Sequence, residues 1–290
     1  MPGRSTRREF RVLLSPGAAL VLPGVSNALA ARVIADLGFP AAYVTGAGIA
    51  NTFLGIPDNG LVTLSELAEH VGAIRDVFPG PLMVDADTGF GNVMNTTRAV
   101  RLLERAGADA IQIEDQVFPK RCGHFAGKEV IPTAEMVAKV KAAADTRTDG
   151  DVLIVARTDA IAAEGFDLAL ERAQRYREAG ADLTFVEAPN TPEEIAEIPR
   201  RLPWPQVINV VLGGRTPELP NKELKALGYA GVLYANLALQ SALHGMQLAL
   251  GALRRNGQIG DASALAVSFA ERQRLVGKDE FDRLETKYKA

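Results

Sequence analysis

The sequence predicts an α/β chain closed into a (β/α)₈ TIM barrel, and three observations carry that expectation. Short apolar runs recur along the chain, most ending in or beside a small, polar or acidic residue. There are eight: Ala19–Leu22, Ala41–Thr45, Pro81–Asp85, Ala110–Glu114, Val152–Arg157, Leu183–Glu187, Gln206–Asn209 and Gly231–Asn236. Their Val, Ile and Leu content suits parallel strands buried on both faces. Helical periodicity fills the intervals, and several of those intervals end on a glycine.

Arg4, Arg7, Arg8 and Arg11 lack the apolar core of a signal peptide, and Glu9 with an amphipathic pattern predicts a first helix instead. Thr63–Val77 aligns Leu64, Leu67, Ala68, Val71 and Ile74 in one stripe. Thr133 with Met136, Val137 and Val140, and Phe166 with Leu170, Ala173 and Tyr176, repeat the spacing. The exits read Leu37-Gly38-Phe39, Ala106-Gly107-Ala108-Asp109, Ala179-Gly180-Ala181-Asp182 and Leu227-Gly228-Tyr229. Glycine there supplies the left-handed residue that stops a helix before the next strand. Repeated βα units of about thirty residues imply right-handed crossovers and a parallel sheet. Eight units favour a closed barrel; a doubly wound sheet is weaker because no Gly-x-Gly-x-x-Gly follows the first run. Residues 1–290 therefore read as one barrel domain, with 257–290 as a charged C-terminal helical extension suited to packing on a neighbouring subunit.

With 47% hydrophobic and 23% charged residues, the chain has the balance of a water-soluble protein with a sizeable core. A net charge of -3 offers no basic surface for nucleic acid or an anionic membrane, and runs such as Val152–Ala156 are too short to span a bilayer. Cys122 is the sole cysteine, so no intrachain disulfide can form and a cytoplasmic, reducing location is expected.

Catalytic groups of such barrels lie at the C-terminal ends of strands. The second run delivers Tyr43, Thr45, Gly46, Ala47 and Gly48, the third Asp85 and Asp87, the fourth Glu114 and Asp115, the fifth Arg157 and Asp159. Glu187, Asn209 and Asn236 end the remaining three. Asp85 and Asp87 are spaced to share a face, and Glu114 arrives from the neighbouring run. Two carboxylates about 4 Å apart repel by about 4 kcal/mol at an effective dielectric of about 20. A hard divalent ion removes that conflict, and Mg²⁺, or Mn²⁺ in its place, suits a few carboxylates and several waters. Capping of a turn by Asp87, or pairing of these acids with Arg98 and Arg101, is the bland alternative. Arg157 is read both as a fork for a substrate carboxylate and as an ion-pair partner of Glu187 or Glu114.

The fourth connection, Gln116 to Ile131, is unusually long and carries Lys120-Arg121-Cys122-Gly123-His124 and Gly127-Lys128. Long ordered loops at a barrel mouth are often lids. A cysteine among Lys, Arg and His has a stabilised thiolate and, once protonated, can donate a proton. His70 and His244 fall within helical patterns and read as packing or surface residues.

These residues together resemble the isocitrate lyase / phosphoenolpyruvate mutase superfamily. The resemblance runs from Val21-Leu22-Pro23-Gly24 to about Asn256. Its markers are Thr45-Gly46-Ala47-Gly48, Leu54-Gly55-Ile56-Pro57-Asp58, Asp85-Ala86-Asp87-Thr88-Gly89-Phe90-Gly91-Asn92, Ile113-Glu114-Asp115-Gln116 and Ala156-Arg157-Thr158-Asp159-Ala160. It implies Mg²⁺ held by Asp85, Asp87 and Glu114, largely through waters. It implies that amides around Thr45, Gly46 and Ala47, with Arg157, grip the 2-oxo acid end. Lys120, Cys122, Gly123 and His124 would then close over the site, Cys122 protonating the carbanion. Asp58, Glu187 and Asn209 match positions shaping the metal and substrate shell, and a homotetramer exchanging C-terminal helices is implied.

Two departures bear on substrate. Leu212 stands where methylisocitrate and dimethylmalate lyases usually have Glu, and Leu233-Tyr234-Ala235-Asn236 is closer to the mutase and phosphonopyruvate hydrolase pattern. The resemblance thus implies a carbon–carbon lyase acting on a small carboxylate, an alkylmalate or a 2-methylisocitrate-like acid. A carboxyvinyl-carboxyphosphonate phosphorylmutase, an oxaloacetate decarboxylase or hydrolase, and a non-catalytic carboxylate-binding barrel remain alternatives. A Schiff-base aldolase is disfavoured because no lysine closes any of the eight runs.

Overall fold

The structure, a computed structural model, describes residues 6–120, 127–258 and 260–289. Eight parallel strands close into a barrel in sequence order: β1 (Leu20–Val25), β2 (Ala42–Val44), β3 (Leu82–Asp85), β4 (Ala110–Glu114), β5 (Leu153–Thr158), β6 (Leu183–Val186), β7 (Gln206–Asn209) and β8 (Gly231–Tyr234). Closure is the β1–β8 pairing, in register from Leu20 opposite Gly231 to Pro23 opposite Tyr234. All eight strands fall on the eight apolar runs.

Several boundaries shift by a residue or two, and one by three. The first run was expected to stop at Leu22, before Pro23-Gly24, yet β1 continues to Val25. Its last residues turn to the other neighbour, Gly24 pairing with Tyr43 and Val25 with Val44. A Cβ on Gly24 would lie 1.8 Å from the Ala235 carbonyl oxygen, so this glycine admits the chain leaving β8 and is no turn.

Alternation along the strands divides the core. Tyr43, Met83, Leu153, Val155, Phe185, Val207 and Leu233 fill the barrel interior. The opposite faces, such as Val44, Val84, Ile111 and Ile154, pack under the surrounding helices. The helix Thr6–Leu13 plugs the floor of the barrel with Phe10, and Leu14 follows it into the same cluster. Polar tethers hold this plug: Thr6 Oγ1 donates to Asp109 Oδ1 at 2.5 Å and Arg11 Nη1 to Asp182 Oδ1 at 2.9 Å. Those aspartates also accept strand amides, Leu82 N–H and Ile154 N–H respectively.

The helices form where their stripes and caps predict. Thr63 and Glu66 make a reciprocal capping box at the start of Leu64–Arg75, which buries Leu67, Val71 and Ile74. Helix Val93–Ala106 stops at Gly107 with φ 107°. Beyond β8, helix Leu237–Asn256 is followed by a 3₁₀ segment, Gly260–Leu265, and helices Phe269–Leu275 and Lys278–Tyr288. Arg274 fastens this extension to the barrel by two 2.7 Å bonds to Asp36. No helix among the described residues is long and apolar enough to cross a membrane.

Candidate active site

At the end of β3 the backbone makes an uncommon move. Asp87 adopts φ 48°, a left-handed conformation that costs a non-glycine residue about 1 kcal/mol or more. Its carbonyl is held by Glu114 N–H at 2.8 Å, and its own amide donates to Asp85 Oδ1 at 3.2 Å. The strained turn keeps Asp87 beside Asp85 instead of capping a helix. Neither residue pairs with Arg98, which is exposed on the helix outside.

Asp85 is steadied from inside the barrel. Gln112 Nε2 donates to Asp85 Oδ1 at 3.2 Å, and Tyr43 Oη donates to Gln112 Oε1 at 3.3 Å. Three neighbouring strands thus present a fully buried chain of hydroxyl, amide and carboxylate. Burial, then the Asp85 charge, pushes the Tyr43 phenol well above its usual value, so it keeps its proton at neutral pH.

Gly46 faces the two aspartates. A Cβ placed on it would lie 3.1 Å from Asp87 Oδ1 and 3.3 Å from Asp85 Oδ2, so both oxygens converge on one small space that only glycine leaves open. Gly46 begins the short helix Gly46–Ile49, capped by Thr45 Oγ1, which accepts from Gly48 N–H at 3.2 Å. Ala47 follows and lines an open cleft of about 710 Å³ together with Asp58, Ile56, Pro57, Asn236 and Met246.

Lys120 is buried, its Nζ 2.5 Å from Asp58 Oδ1 and 2.8 Å from Asp87 Oδ1. Burial pulls its pKa down, but Asp87, Asp58, Glu114 and Asp85 together carry it well above the usual lysine value. Burial, helped by the Asp85 and Asp58 charges and opposed by Lys120, pushes Asp87 up to about 6. Glu114 is raised well above the carboxylate range by burial, although Arg157 opposes the shift.

Arg157 is the penultimate residue of β5 and is stacked over the Phe185 ring at 5.2 Å. The expected pairs to Glu114 (3.3 Å) and Glu187 (3.5 Å) are both present. The tighter partner is Asp159, which takes Nε at 2.9 Å and Nη2 at 3.0 Å as a fork. Asp159 in turn accepts Lys128 Nζ at 2.6 Å. Asp115 faces away from the mouth, accepting Thr158 Oγ1, Asp159 N–H and Tyr176 Oη.

The structure thus brings Tyr43, Thr45, Gly46, Asp58, Asp85, Asp87, Glu114, Lys120, Arg157 and Glu187 into one bonded or touching cluster. Asn209 ends β7 and Asn236 lies two residues beyond β8, each with a side-chain oxygen that makes no hydrogen bond among the described residues. Leu212 is exposed, and its carbonyl accepts a bond from Gln240. His70 packs edge-on against Phe53 and His244 is exposed, the roles expected of them. Cys122, Gly123 and His124 lie outside the described residues. Gln112 is a member that sequence reasoning did not name, whereas Asp159 was placed at the fifth strand end and Lys128 in the long connection, neither with a role.

The donor set fits a divalent cation on two counts. The space between Gly46 and the two aspartates is a cradle that a Cβ would fill, and Glu114 Oε1 is buried without a hydrogen-bond partner among the described residues. Among the described residues no three His, Cys, Asp or Glu side chains close on one point tightly enough to bind an ion together. An ion held there would reach some of these carboxylates through water, as Mg²⁺ commonly does.

A closed barrel with acids, a buried lysine and an anchored arginine at its C-terminal mouth defines a class of carboxylate-handling enzymes. A family model described as phosphoenolpyruvate phosphomutase matches residues 10–254, and the chain belongs to that family, within the phosphoenolpyruvate mutase/isocitrate lyase superfamily. It is 43% identical to a 2,3-dimethylmalate lyase of Eubacterium barkeri, over 98% of each chain. It is 42% identical to a 2-methylisocitrate lyase of Aeropyrum pernix, over 94% of this chain and 88% of that one. A crystal structure of 2,3-dimethylmalate lyase superposes with a TM-score of 0.93 at 33% identity, covering 100% of this chain and 97% of the other. A phosphonopyruvate hydrolase complexed with oxalate and Mg²⁺ superposes at 0.88 with 30% identity, over 98% and 99% of the two chains.

Proposed function

We propose that this chain is a Mg²⁺-dependent carbon–carbon lyase. It cleaves a 2-hydroxy di- or tricarboxylate, an alkylmalate or a 2-methylisocitrate-like acid, to a 2-oxo acid such as pyruvate or glyoxylate and a second carboxylate. The observation that carries the reading is the Gly46–Asp85–Asp87 cradle set against Arg157, with both carboxylate oxygens within 3.3 Å of one point. The lyase names of its relatives, 43% and 42% identical, support it.

Asp85, Asp87 and Glu114 would hold Mg²⁺. When bound, the ion supplies Lewis-acid stabilisation of oxygen charge developing on the 2-oxo acid. The chain's own groups do the rest. Arg157 and the amides of Thr45, Gly46 and Ala47 orient the carboxylate at the reacting end. The C2 hydroxyl passes its proton to a carboxylate at the barrel mouth as C2–O becomes a carbonyl, the C2–C3 bond breaks, and its electrons pass to the carbon beside the second carboxylate. That carbon regains a proton, and we assign the donor to Cys122, with His124 beside it in sequence. Lys120, two residues earlier in sequence, is buried between Asp58 and Asp87, which supports taking the donor from this stretch of sequence. Ile56, Pro57, Leu239, Leu243 and Met246 give the adjoining cleft an apolar wall, which favours an alkyl-substituted substrate.

Assays of pyruvate and glyoxylate release across 2-hydroxy di- and tricarboxylates test the reading. Turnover that disappears in EDTA and returns with Mg²⁺ or Mn²⁺ is expected, whereas full activity in chelator would contradict it. A second reading is phosphorus–carbon chemistry, favoured by Asn236 after β8 and by 36% identity to a carboxyvinyl-carboxyphosphonate phosphorylmutase of Arabidopsis thaliana. Phosphorus NMR on phosphonopyruvate separates the two.

We also infer a cytoplasmic homotetramer. Exposed Leu250, Phe269, Phe281 and Leu284 support burial of the C-terminal helices against other subunits. A monomer in light scattering would contradict that assembly.

A further inference from the structure

The long connection after β4 is pinned at both feet. Val117 N–H donates to Glu129 O at 2.9 Å, Ile131 N–H to Asp115 O at 2.8 Å, and Gln116 bridges to Val130. From these feet each arm sends one lysine inward. Lys120 on the outgoing arm meets Asp58 and Asp87, as described. Lys128 on the returning arm is buried too, with Nζ 2.6 Å from Asp159 Oδ1.

Asp159 is the residue on which Arg157 rests. Its Oδ1 is shared between Lys128 and Arg157 Nη2, while Oδ2 takes Arg157 Nε. Asp159 is itself fixed, because its backbone N–H donates to Asp115 Oδ1 at 2.9 Å. Three buried acids, Glu114, Asp159 and Glu187, thus surround the Arg157 guanidinium, and Asp159 and Glu187 alone already outnumber its single charge. Left to them alone, its positive charge would be over-compensated, and little attraction would remain for a substrate anion. Lys128 supplies the second cation of the group and draws on Asp159 from the side away from Arg157 Nε.

We propose that Lys128 is a positioning residue: through Asp159 it sets the orientation of the Arg157 fork and leaves that fork the charge to bind the substrate's carboxylate, tying anion affinity to the seating of the returning arm. The proposal rests on the lyase reading in one respect only, that Arg157 faces a carboxylate.

The test compares wild type with Lys128→Met, Lys128→Arg, Asp159→Asn and the Lys128→Met/Asp159→Asn double variant. Oxalate affinity in the presence of Mg²⁺ is measured by calorimetry, thermal stability is measured alongside, and Arg157 is located in ligand-free crystals. Losing a hydrogen bond between buried charges predicts oxalate binding weaker by about tenfold to a hundredfold in Lys128→Met. Lys128→Arg should recover most of it. Because both residues act through one contact, the double variant should lose less than the two single losses combined. In Lys128→Met crystals the guanidinium should leave its Asp159 fork or rotate within it.

A merely structural lysine would lower the melting temperature and leave oxalate affinity and Arg157 unmoved, and that result would overturn the proposal. So would additive losses in the double variant. Wild type that binds oxalate but turns over no acid contradicts the lyase reading and leaves this test standing. Should wild type bind no oxalate, the lyase reading fails, and the position of Arg157 in the Lys128→Met crystals decides the inference by itself.

Discussion

Replacing Gly46 by alanine should damage activity without damaging the fold. The added methyl would sit 3.1 Å from Asp87 Oδ1 and 3.3 Å from Asp85 Oδ2, where ordinary contact begins at 3.4 Å, so both carboxylates must retreat by a few tenths of an ångström. Misplacing a reacting group by about 1 Å can cost about 10²-fold in rate, so this smaller shift predicts a loss of about threefold to tenfold. The Mg²⁺ concentration giving half-maximal turnover should rise by a similar factor, because the methyl occupies the cradle itself. Stability should hold or improve: Gly46 opens a short helix, and alanine exceeds glycine there by up to about 1 kcal/mol of helix propensity. Steady-state kinetics over a Mg²⁺ titration, with a urea melt of the same preparations, reads both effects. A Gly46→Ala protein with wild-type turnover and wild-type Mg²⁺ dependence would refute the convergence of Asp85 and Asp87 on that space.

Other perturbations separate the frame from the site. Asp109→Ala strips the acceptor from Leu82 N–H and from Arg75, 2.7 Å away, and should cost about 2–4 kcal/mol in urea denaturation while kcat/KM stays within about twofold; a loss under about 1 kcal/mol would contradict the tether. Gly24→Ala sets a methyl 1.8 Å from the Ala235 carbonyl oxygen and should prevent barrel closure, seen as lost near-UV dichroism. Gly245→Ala, which meets nothing within 4 Å, should be neutral or stabilising, and a reversed order of these two would be decisive against the closure geometry. Burial pushes the Glu104 carboxyl up, but bonds from Thr148, the Asp149 amide and Arg7 hold it below its usual value. Its contribution is therefore complete above the unfolded pKa of about 4.3 and is lost as pH falls through the folded value. Glu104→Gln should flatten the dependence of unfolding free energy on pH between about 5 and 3, and equal slopes would exclude that role.

The frame was legible because its signals are local. Periodicity, capping residues and glycine exits act over a few residues, and Gly38, Gly107, Gly180 and Gly228 all take positive φ where the exits were expected. The first strand was ended short at Leu22 because Pro23-Gly24 is not an apolar run, and only the close approach to β8 shows why glycine stands within the strand. In the site, the acids and Arg157 could be placed by strand-end position alone. The Arg157–Asp159 fork was readable in principle, since residues two apart on a strand share a face. Gln112 offered a weaker signal, a polar residue inside an apolar run and two before Glu114. Lys128 had none, because its contact with Asp159 spans 31 residues and depends on how the long connection returns.

The account turns on Asp85, Asp87 and Glu114 sharing one divalent ion opposite Arg157. A crystal grown with Mn²⁺ and oxalate, phased near the manganese edge, tests this most directly. One anomalous peak between those three carboxylates, with oxalate lying between it and Arg157, is the predicted result. Manganese bound elsewhere, or oxalate held away from Arg157, would contradict it.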